Sequence, residues 1–328
     1  MSAQHAPSSR GRPVVALCGG VGGAKLALGL ERLIGADLTV VVNTGDDFEH
    51  LGLHVSPDID TVAYTLGGLS DLERGWGRAD ETWNFMESLG GLGGETWFRL
   101  GDRDLAMHIE RTRALHGGIS LTEFTAATAR RLGIAADILP MSDDRVETMV
   151  ITSDGALAFQ RYFVGLQCVP VVKRLEFKNA ERATATSQVL AALRNPDLAA
   201  IIVCPSNPYL SVDPILAVAD IRKALDEVTA PIIAVSPLIG GQAVKGPTAK
   251  IMAELGVPAD TASIAGHYRF IDGLIIDETD RAEAGKVELP VLVTSTLMRS
   301  LDDRDRLASD CLEFASRLGK GALKRTAT

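Results

Sequence analysis

A glycine turn set directly after a short apolar strand constrains this chain more than any other feature. Val14-Val15-Ala16-Leu17 reads as a buried strand, Gly19-Gly20-Val21-Gly22-Gly23 follows at once, and a helix begins near Ala24 with Leu26, Leu28, Leu30 and Leu33 on it. In this order the free backbone N–H groups at the helix start are placed to receive phosphate oxygens. Glycine permits positive φ and close approach of a ligand, and Lys25 adds a cation. Two better-known patterns fit incompletely. A Walker A loop needs Lys beside the last Gly with Ser or Thr after it, whereas Ala24 intervenes and Leu26 follows Lys25. A dinucleotide fingerprint from Gly20 needs Gly or Ala at position 25 and an acid closing the second strand, which closes instead with Asn43-Thr44. The turn therefore favours a phosphate-bearing ligand over a nicotinamide cofactor; the alternative is a tight turn that packs helix on sheet.

The second strand, about Leu38 to Val42, delivers an acidic stretch. Five carboxylates (Asp46, Asp47, Glu49, Asp58, Asp60) crowd Val40 to Thr61, which contains no Lys or Arg. Acids gathered without counter-charge repel one another unless a cation sits among them; a merely acidic polar loop is the bland alternative. In open α/β sheets ligands bind beyond the carboxyl ends of the strands, so the glycine turn and the acids are expected to face one crevice.

The remaining chain extends that crevice. From about residue 61 to 138 strand alternation stops, and segments Asp104–Arg113 and Ser120–Leu132 read as helices, the latter opened by a Ser120/Glu123 capping box. This region is expected to form an inserted helical layer roofing the crevice. It holds all three tryptophans, Trp76, Trp83 and Trp97, and the charged run Arg99-Leu100-Gly101-Asp102-Arg103-Asp104. A hairpin is signalled at Ser153-Asp154-Gly155, flanked by strands expected at Val146–Thr152 and Leu157–Phe163. Strands then recur at Ala199–Cys204, ending in Pro205-Ser206-Asn207-Pro208, and at 232–235, 273–276 and 291–294, with a closing helix from about Leu301. Ser206 and Asn207 carry the donors and acceptors to read a nucleobase or ribose. His50 and His54 lie four apart in an extended stretch and read as surface or satisfied histidines. The expected fold is α/β: a Rossmann-like open, mostly parallel sheet with the helical layer over its crevice, as one domain from residue 13 to 328 behind a disordered tail, 1–12.

Composition narrows the partners. A net charge of -9 argues against nonspecific binding to nucleic acid or an anionic membrane. The four cysteines are scattered, which fits a reducing compartment and offers neither a zinc site nor a disulfide framework. No apolar run approaches the roughly 18 residues a membrane span needs, and the first residues lack the apolar core of a signal peptide, so a cytoplasmic location is expected.

A phosphate-cradling turn, a cluster of hard oxygen ligands and a base-reading turn point to metal-dependent phosphoryl or nucleotidyl-type transfer. Mg²⁺ prefers carboxylates plus substrate phosphate oxygens, which leaves the protein to hold an acceptor hydroxyl in line with phosphorus. The glycine turn through Lys25, Asn43-Thr44-Gly45-Asp46-Asp47, Ser56-Pro57-Asp58-Ile59-Asp60-Thr61, Gly75-Trp76-Gly77, Leu100-Gly101-Asp102-Arg103-Asp104, Leu139-Pro140-Met141-Ser142, Cys204-Pro205-Ser206-Asn207-Pro208 and Lys245-Gly246-Pro247 follow one another in a family's order. From Pro13 to about Asp277 the chain resembles the 2-phospho-L-lactate transferases (CofD/FbiA family) of deazaflavin coenzyme F-420 biosynthesis.

The resemblance implies that a phosphorylated three-carbon acid (phospholactate, phosphoenolpyruvate or phosphoglycerate type) passes from its guanylyl diphosphate donor to the ribityl hydroxyl of the deazaflavin Fo. GMP is released and Mg²⁺ is required. It implies Asp60 and Arg99 as contacts to Fo, and Asp46 and Asp60 for metal binding and hydroxyl activation, with Asp47 and Asp58 in support. Gly20, Gly22 and Gly23 would cradle the diphosphate, Ser206 and Asn207 would contact guanosine, and Lys25, Thr44 and Lys245 would assist in nucleotide or phosphate binding. A two-fold homodimer is the default assembly. The rival reading is a nucleotide-sugar-binding regulator of carbon metabolism on a related fold, which needs neither Asp60 in its Ser-Pro-Asp-Ile-Asp-Thr setting nor Arg99.

Overall fold

Seven short apolar segments form the spine of the structure, a computed structural model that describes residues 11–320. Most of the tail expected over residues 1–12 lies outside the described residues; Arg12 is anchored, donating to the carbonyl oxygens of Asp197 and Leu198. In chain order the strands are β1 (Val14–Cys18), β2 (Leu38–Val42), β3 (Phe48–His50), β4 (Leu53–Val55), β5 (Asp137–Pro140), β6 (Glu147–Thr152), β7 (Gly155–Ala158), β8 (Val172–Lys178), β9 (Ala200–Val203), β10 (Ile232–Val235), β11 (Leu238–Ile239), β12 (Gln242–Ala243), β13 (Gly273–Asp277) and β14 (Val291–Thr294). The helices used below are α1 (Gly20–Ile34), α2 (Pro57–Leu66), α3 (Asn84–Gly91), α4 (Asp104–His116), α5 (Leu121–Arg131), α6 (Ser187–Leu193), α7 (Asp213–Ala217), α8 (Ala219–Glu227), α9 (Thr248–Glu254), α10 (Thr261–His267) and α11 (Leu301–Lys320).

The main sheet runs β5-β2-β1-β9-β10-β13-β14, and every pairing in it is parallel. Parallel strands are buried on both faces and so read as continuous Val/Ile/Leu runs. Alternate residues serve opposite cores: Val15, Leu17 and Val41 pack under α6 to α10, while Val14, Ala16, Val40 and Val42 pack under α1, α2, α5 and α11. β2 and β5 are laid to one side of β1 and the later strands to the other, so the chain reverses direction across the sheet between β1 and β9. A crevice opens beyond the carboxyl ends at such a point, between the glycine turn after β1 and the Pro205-Ser206-Asn207 turn after β9.

Two expectations are corrected. The inserted layer is shorter than residues 61–138, because α2 packs along α1 and α5 against β5 on the flank of the sheet. Residues 67–120 remain to cover the crevice. The expected strand Leu157–Phe163 ends at Ala158; the chain then makes one wide helical turn, Arg161–Gly165, which turns Phe159, Gln160, Phe163 and Val164 toward the crevice. β6, β7 and β8 form a separate antiparallel sheet that carries this turn.

The two glycines deepest in the turn are packing residues. A Cβ on Gly22 would overlap the Pro205 carbonyl oxygen, and one on Gly23 would sit 2.5 Å from Ser206 Oγ and 2.7 Å from Cys18 Sγ. Gly22→Ala is expected to lower the unfolding free energy by about 1–3 kcal/mol in a urea titration, because helix and turn must separate. Gly91→Ala, whose added methyl meets nothing within 4 Å, is the control and should be neutral or slightly stabilising.

Candidate active site

The crevice is a cavity of about 770 Å³, within the range of small-molecule sites. Ten of the residues singled out from the sequence line it: Gly20, Gly22, Lys25, Asp46, Asp58, Asp60, Arg99, Ser206, Asn207 and Lys245. Gly23, Thr44 and Asp47 do not. Gly23 is buried against Ser206 and Cys18, and Thr44 is buried with an unpartnered Oγ1. Both lie below the surface that a ligand meets.

At its centre two carboxylates meet on one amide. Asn43, just past β2, donates from Nδ2 to Asp46 Oδ1 at 2.7 Å and to Asp58 Oδ2 at 2.9 Å, while its Oδ1 accepts the Gly45 N–H at 2.7 Å. The other oxygen of Asp58, at the start of α2, accepts the Gly20 N–H at 2.7 Å. Gly20 has φ +62°, a backbone state that a side chain would oppose. The Gly20 amide is thus already bonded to a carboxylate. The free amides expected at the head of α1 are those of Val21 and Gly22.

Burial, reinforced by the neighbouring Asp58 charge, holds the Asp46 carboxyl well above the usual carboxylate range. Burial likewise pushes Asp58 up to about 6 against the pull of its Asn43 and Gly20 donors. Two adjacent acids that resist ionisation because they are buried are suited to share a cation. Among the described residues no cluster of three or more His, Cys, Asp or Glu side chains could hold a metal. A cation at Asp46 and Asp58 therefore needs ligand oxygens to complete its shell.

The other two aspartates each have a basic partner, which corrects the inference that the acids lack counter-charge. Asp60 is clasped by the fully buried Arg111 of α4, through Nη2 to Oδ1 and through Nη1 to Oδ2 at 3.1 Å. Arg111 also donates to the His54 carbonyl at 3.3 Å. His108, one turn earlier on α4, bridges Asp60 (3.7 Å) and Asp104 (3.4 Å), and the Tyr64 hydroxyl donates to Asp104. Asp47 accepts from Ser56 Oγ at 2.7 Å and lies 3.2 Å from His54 Nε2. Burial raises its pKa, although His54, Ser56 and Arg111 work against that rise. His54 is thus satisfied, as expected; His50 is buried with an unpartnered Nε2.

The polar turn after β9 divides its labour. Ser206 is buried, accepts the Gly19 N–H at 3.1 Å and donates to the Gly19 carbonyl at 2.8 Å, so its hydroxyl ties the two turns together and its one donor is already used. Asn207 Oδ1 caps the next turn at Tyr209 N and Leu210 N, which leaves Nδ2 buried and without a partner at the cavity. Above them the covering layer supplies aromatic surface. Trp76 and Trp97 line the cavity with Phe98, and Arg99 lies over the Trp83 ring at 4.1 Å. In the charged run, Asp102 accepts from Thr82, Asn84 and Phe85, with the Thr82 hydroxyl foremost in holding its carboxyl down to about 2. That part of the run is a structural cap.

Arg111, His108 and Tyr64 escaped the sequence reading. The available signal was weak: Arg111 and His108 stand three apart among the apolar positions of a helix otherwise rich in exposed charge.

Fold and site together define the class, an open α/β protein with its ligand crevice at the switch point of a parallel sheet, acids on one side and lysines on the other. Residues 14–298 match the family described as 2-phospho-L-lactate transferase CofD, and the chain belongs to that family of transferases. It is similar to a phosphoenolpyruvate transferase of Streptomyces griseus, with 41% identity over 92% of this chain and 98% of the relative. A phosphoenolpyruvate transferase of Mycobacterium tuberculosis is 39% identical over 86% and 93% of the two chains. A solved structure of a UPF0052 family member from Bacillus halodurans shares the fold, with a TM-score of 0.60 and 16% identity over 92% of this chain and 98% of that one. No helix among the described residues is long and apolar enough to cross a membrane.

Arg111→Met leaves Asp60 buried without its partner and is expected to cost about 3–5 kcal/mol of stability by urea unfolding, with Asp60→Leu in the same chain restoring much of the loss. The raised acids set the pH response of the metal-free protein. As pH climbs from about 4 to about 6 the unfolded chain releases the Asp58 proton while the folded chain retains it, so stability falls through that window and levels off above it. The drop is on the order of 3 kcal/mol, and Asp58→Asn should flatten it in unfolding curves collected across pH.

Proposed function

We propose that this chain moves a phosphorylated three-carbon acid from its guanylyl diphosphate donor to the ribityl hydroxyl of the deazaflavin Fo, with release of GMP, in coenzyme F-420 biosynthesis. The reading is carried by the Asp46–Asn43–Asp58 bridge, which stands beside the glycine turn inside a cavity that also has an aromatic wall. The names of relatives at 39–41% identity support enolpyruvate as the acid, in place of lactate or glycerate. The nucleotide-sugar-binding regulator has only likeness of fold in its favour.

In the reaction the ribityl oxygen forms a bond to phosphorus as the bond to the GMP oxygen breaks, and the hydroxyl proton passes by way of Asp60 to water. Asp46 and Asp58 would hold Mg²⁺, which when bound offsets the charge growing on the phosphate oxygens. Asp60, held immobile by Arg111, accepts a hydrogen bond from the acceptor hydroxyl and lines it up with phosphorus. The amides heading α1 receive diphosphate oxygens, and the spare Asn207 Nδ2 donates to the guanosine. Trp76, Trp97 and Phe98 give the flat deazaflavin ring a surface to lie on, with Arg99 at its edge.

The test is mass spectrometry of the product formed from Fo, Mg²⁺ and guanylylated donors of each acid. The enolpyruvyl phosphodiester of Fo is expected, and absence of any Fo adduct would end the proposal. Asp58→Asn should reduce kcat by roughly 10²–10³, the scale of losing one aimed electrostatic contact. Near-normal turnover in that variant would remove Asp58 from the site.

A further inference from the structure

The cavity is charged unequally. Asp46, Asp58 and Asp60 lie on the β2 side, while Lys25 and Lys245 lie on the other, and neither lysine pairs with a carboxylate among the described residues. Lys25 Nζ donates to the Met298 carbonyl at 3.0 Å, and Lys245 Nζ to the Gly75 carbonyl at 3.3 Å. These neutral contacts aim the two ammonium groups without discharging them.

A third cation stands behind Lys25. Residues 25 and 29 are one turn apart on α1, on the face that packs against α11: a Cβ added at Gly29 would overlap the Arg304 backbone and sit 3.2 Å from the Ala308 Cβ. Helical side chains lean toward the N-terminus of their helix, so Arg304 leans toward Met298, where Lys25 is anchored. Arg304 is 5% exposed and its Nε has no hydrogen-bond partner. Asp305, next to it in sequence, is turned away to Arg32 at 2.8 Å. Burial, and then the charges of Arg304 and Lys245, depress the pKa of Lys25, which is the mark of cations gathered without an anion. Such a grouping is costly to bury unless a ligand brings the counter-charge.

We propose that Lys25 and Lys245, backed by Arg304, form the subsite for the carboxylate of the donor's three-carbon acid. This rests on the transferase reading above and deepens it. The diphosphate has partners of its own, the amides heading α1 and a cation shared by Asp46 and Asp58. The carboxylate is the one remaining anionic group of the donor, and the two lysines are the cavity cations without a carboxylate partner among the described residues. A phosphate oxygen has the same chemistry as a carboxylate oxygen here, and binding measurements separate the two.

The experiment is calorimetry of the intact protein with Mg²⁺ and three probes: GDP, a guanosine diphosphate ester ending in a carboxyalkyl group, and one ending in an alkyl group of equal length. The unaltered protein should prefer the carboxyalkyl ester roughly 10–100-fold, as charge-assisted hydrogen bonds would give. Lys25→Met and Arg304→Met should abolish that preference, with affinity for the carboxyalkyl ester falling at least tenfold more than affinity for GDP, and Arg304→Lys, which keeps the charge if the larger change fails to fold, should retain it. A loss of GDP affinity as large as the loss for the carboxyalkyl ester would assign these cations to the nucleotide phosphates and overturn the proposal. So would a carboxylate preference that survives Lys25→Met. These affinities need no turnover, whereas the transferase reading fails separately, by absence of product from Fo.

Discussion

Two aspartates held against each other by a single amide set the terms for everything around them. Asp46 and Asp58 come from the end of β2 and the start of α2, and Asn43 donates one N–H to each. Without that donor the pair would be two buried like charges, an arrangement a fold tolerates poorly. Asp58 also grips the Gly20 N–H, so the acid pair is fastened to the glycine turn. Ser206 fastens the same turn to the end of β9. Three strand ends are thereby locked together at the point where the sheet reverses direction, and the crevice inherits their rigidity.

A second layer keeps this arrangement in place. Arg111 is fully buried, pairs with Asp60 and reaches the His54 carbonyl, so α4 of the covering segment is riveted to the sheet by charge. His108, Asp104 and Tyr64 continue the chain of contacts. The covering layer is more than a roof: removing it would leave Asp60 without its counter-ion. Glu81 caps the backbone that leads into α4, which places Arg111 and His108 at the right depth, and Asp102 caps the start of α3.

Much of this was legible beforehand, for reasons particular to each element. Val14–Cys18, Leu38–Val42 and Ile232–Val235 are strands because buried parallel strands must be apolar on both faces, and such runs stand out. The Ser120/Glu123 box and the Ser153-Asp154-Gly155 turn formed as written, since both are satisfied by neighbours within four residues. Gly20, Asp46, Asp58 and Lys245 reached the cavity because strand ends and the loops after them face it whatever else happens. Less legible was what a polar residue does once there. Ser206 and Asn207 are adjacent and chemically similar, yet the first is consumed by Gly19 and the second keeps a free donor.

By itself the sequence determined most strands of the main sheet, the end of that sheet at which a crevice opens, and the family, because these follow from local hydrophobic period and contiguous motifs. Only the tertiary structure decided which acids are spoken for and which are free. Asp60 and Asp58 are two residues apart and look alike on paper. Arg111, fifty-one positions further on, takes one of them and leaves the other. The same holds for Arg304, placed behind Lys25 by the packing of the last helix on the first. Charge pairing acts through space over a few ångströms, and a linear chain carries no record of which distant side chain will arrive within that distance.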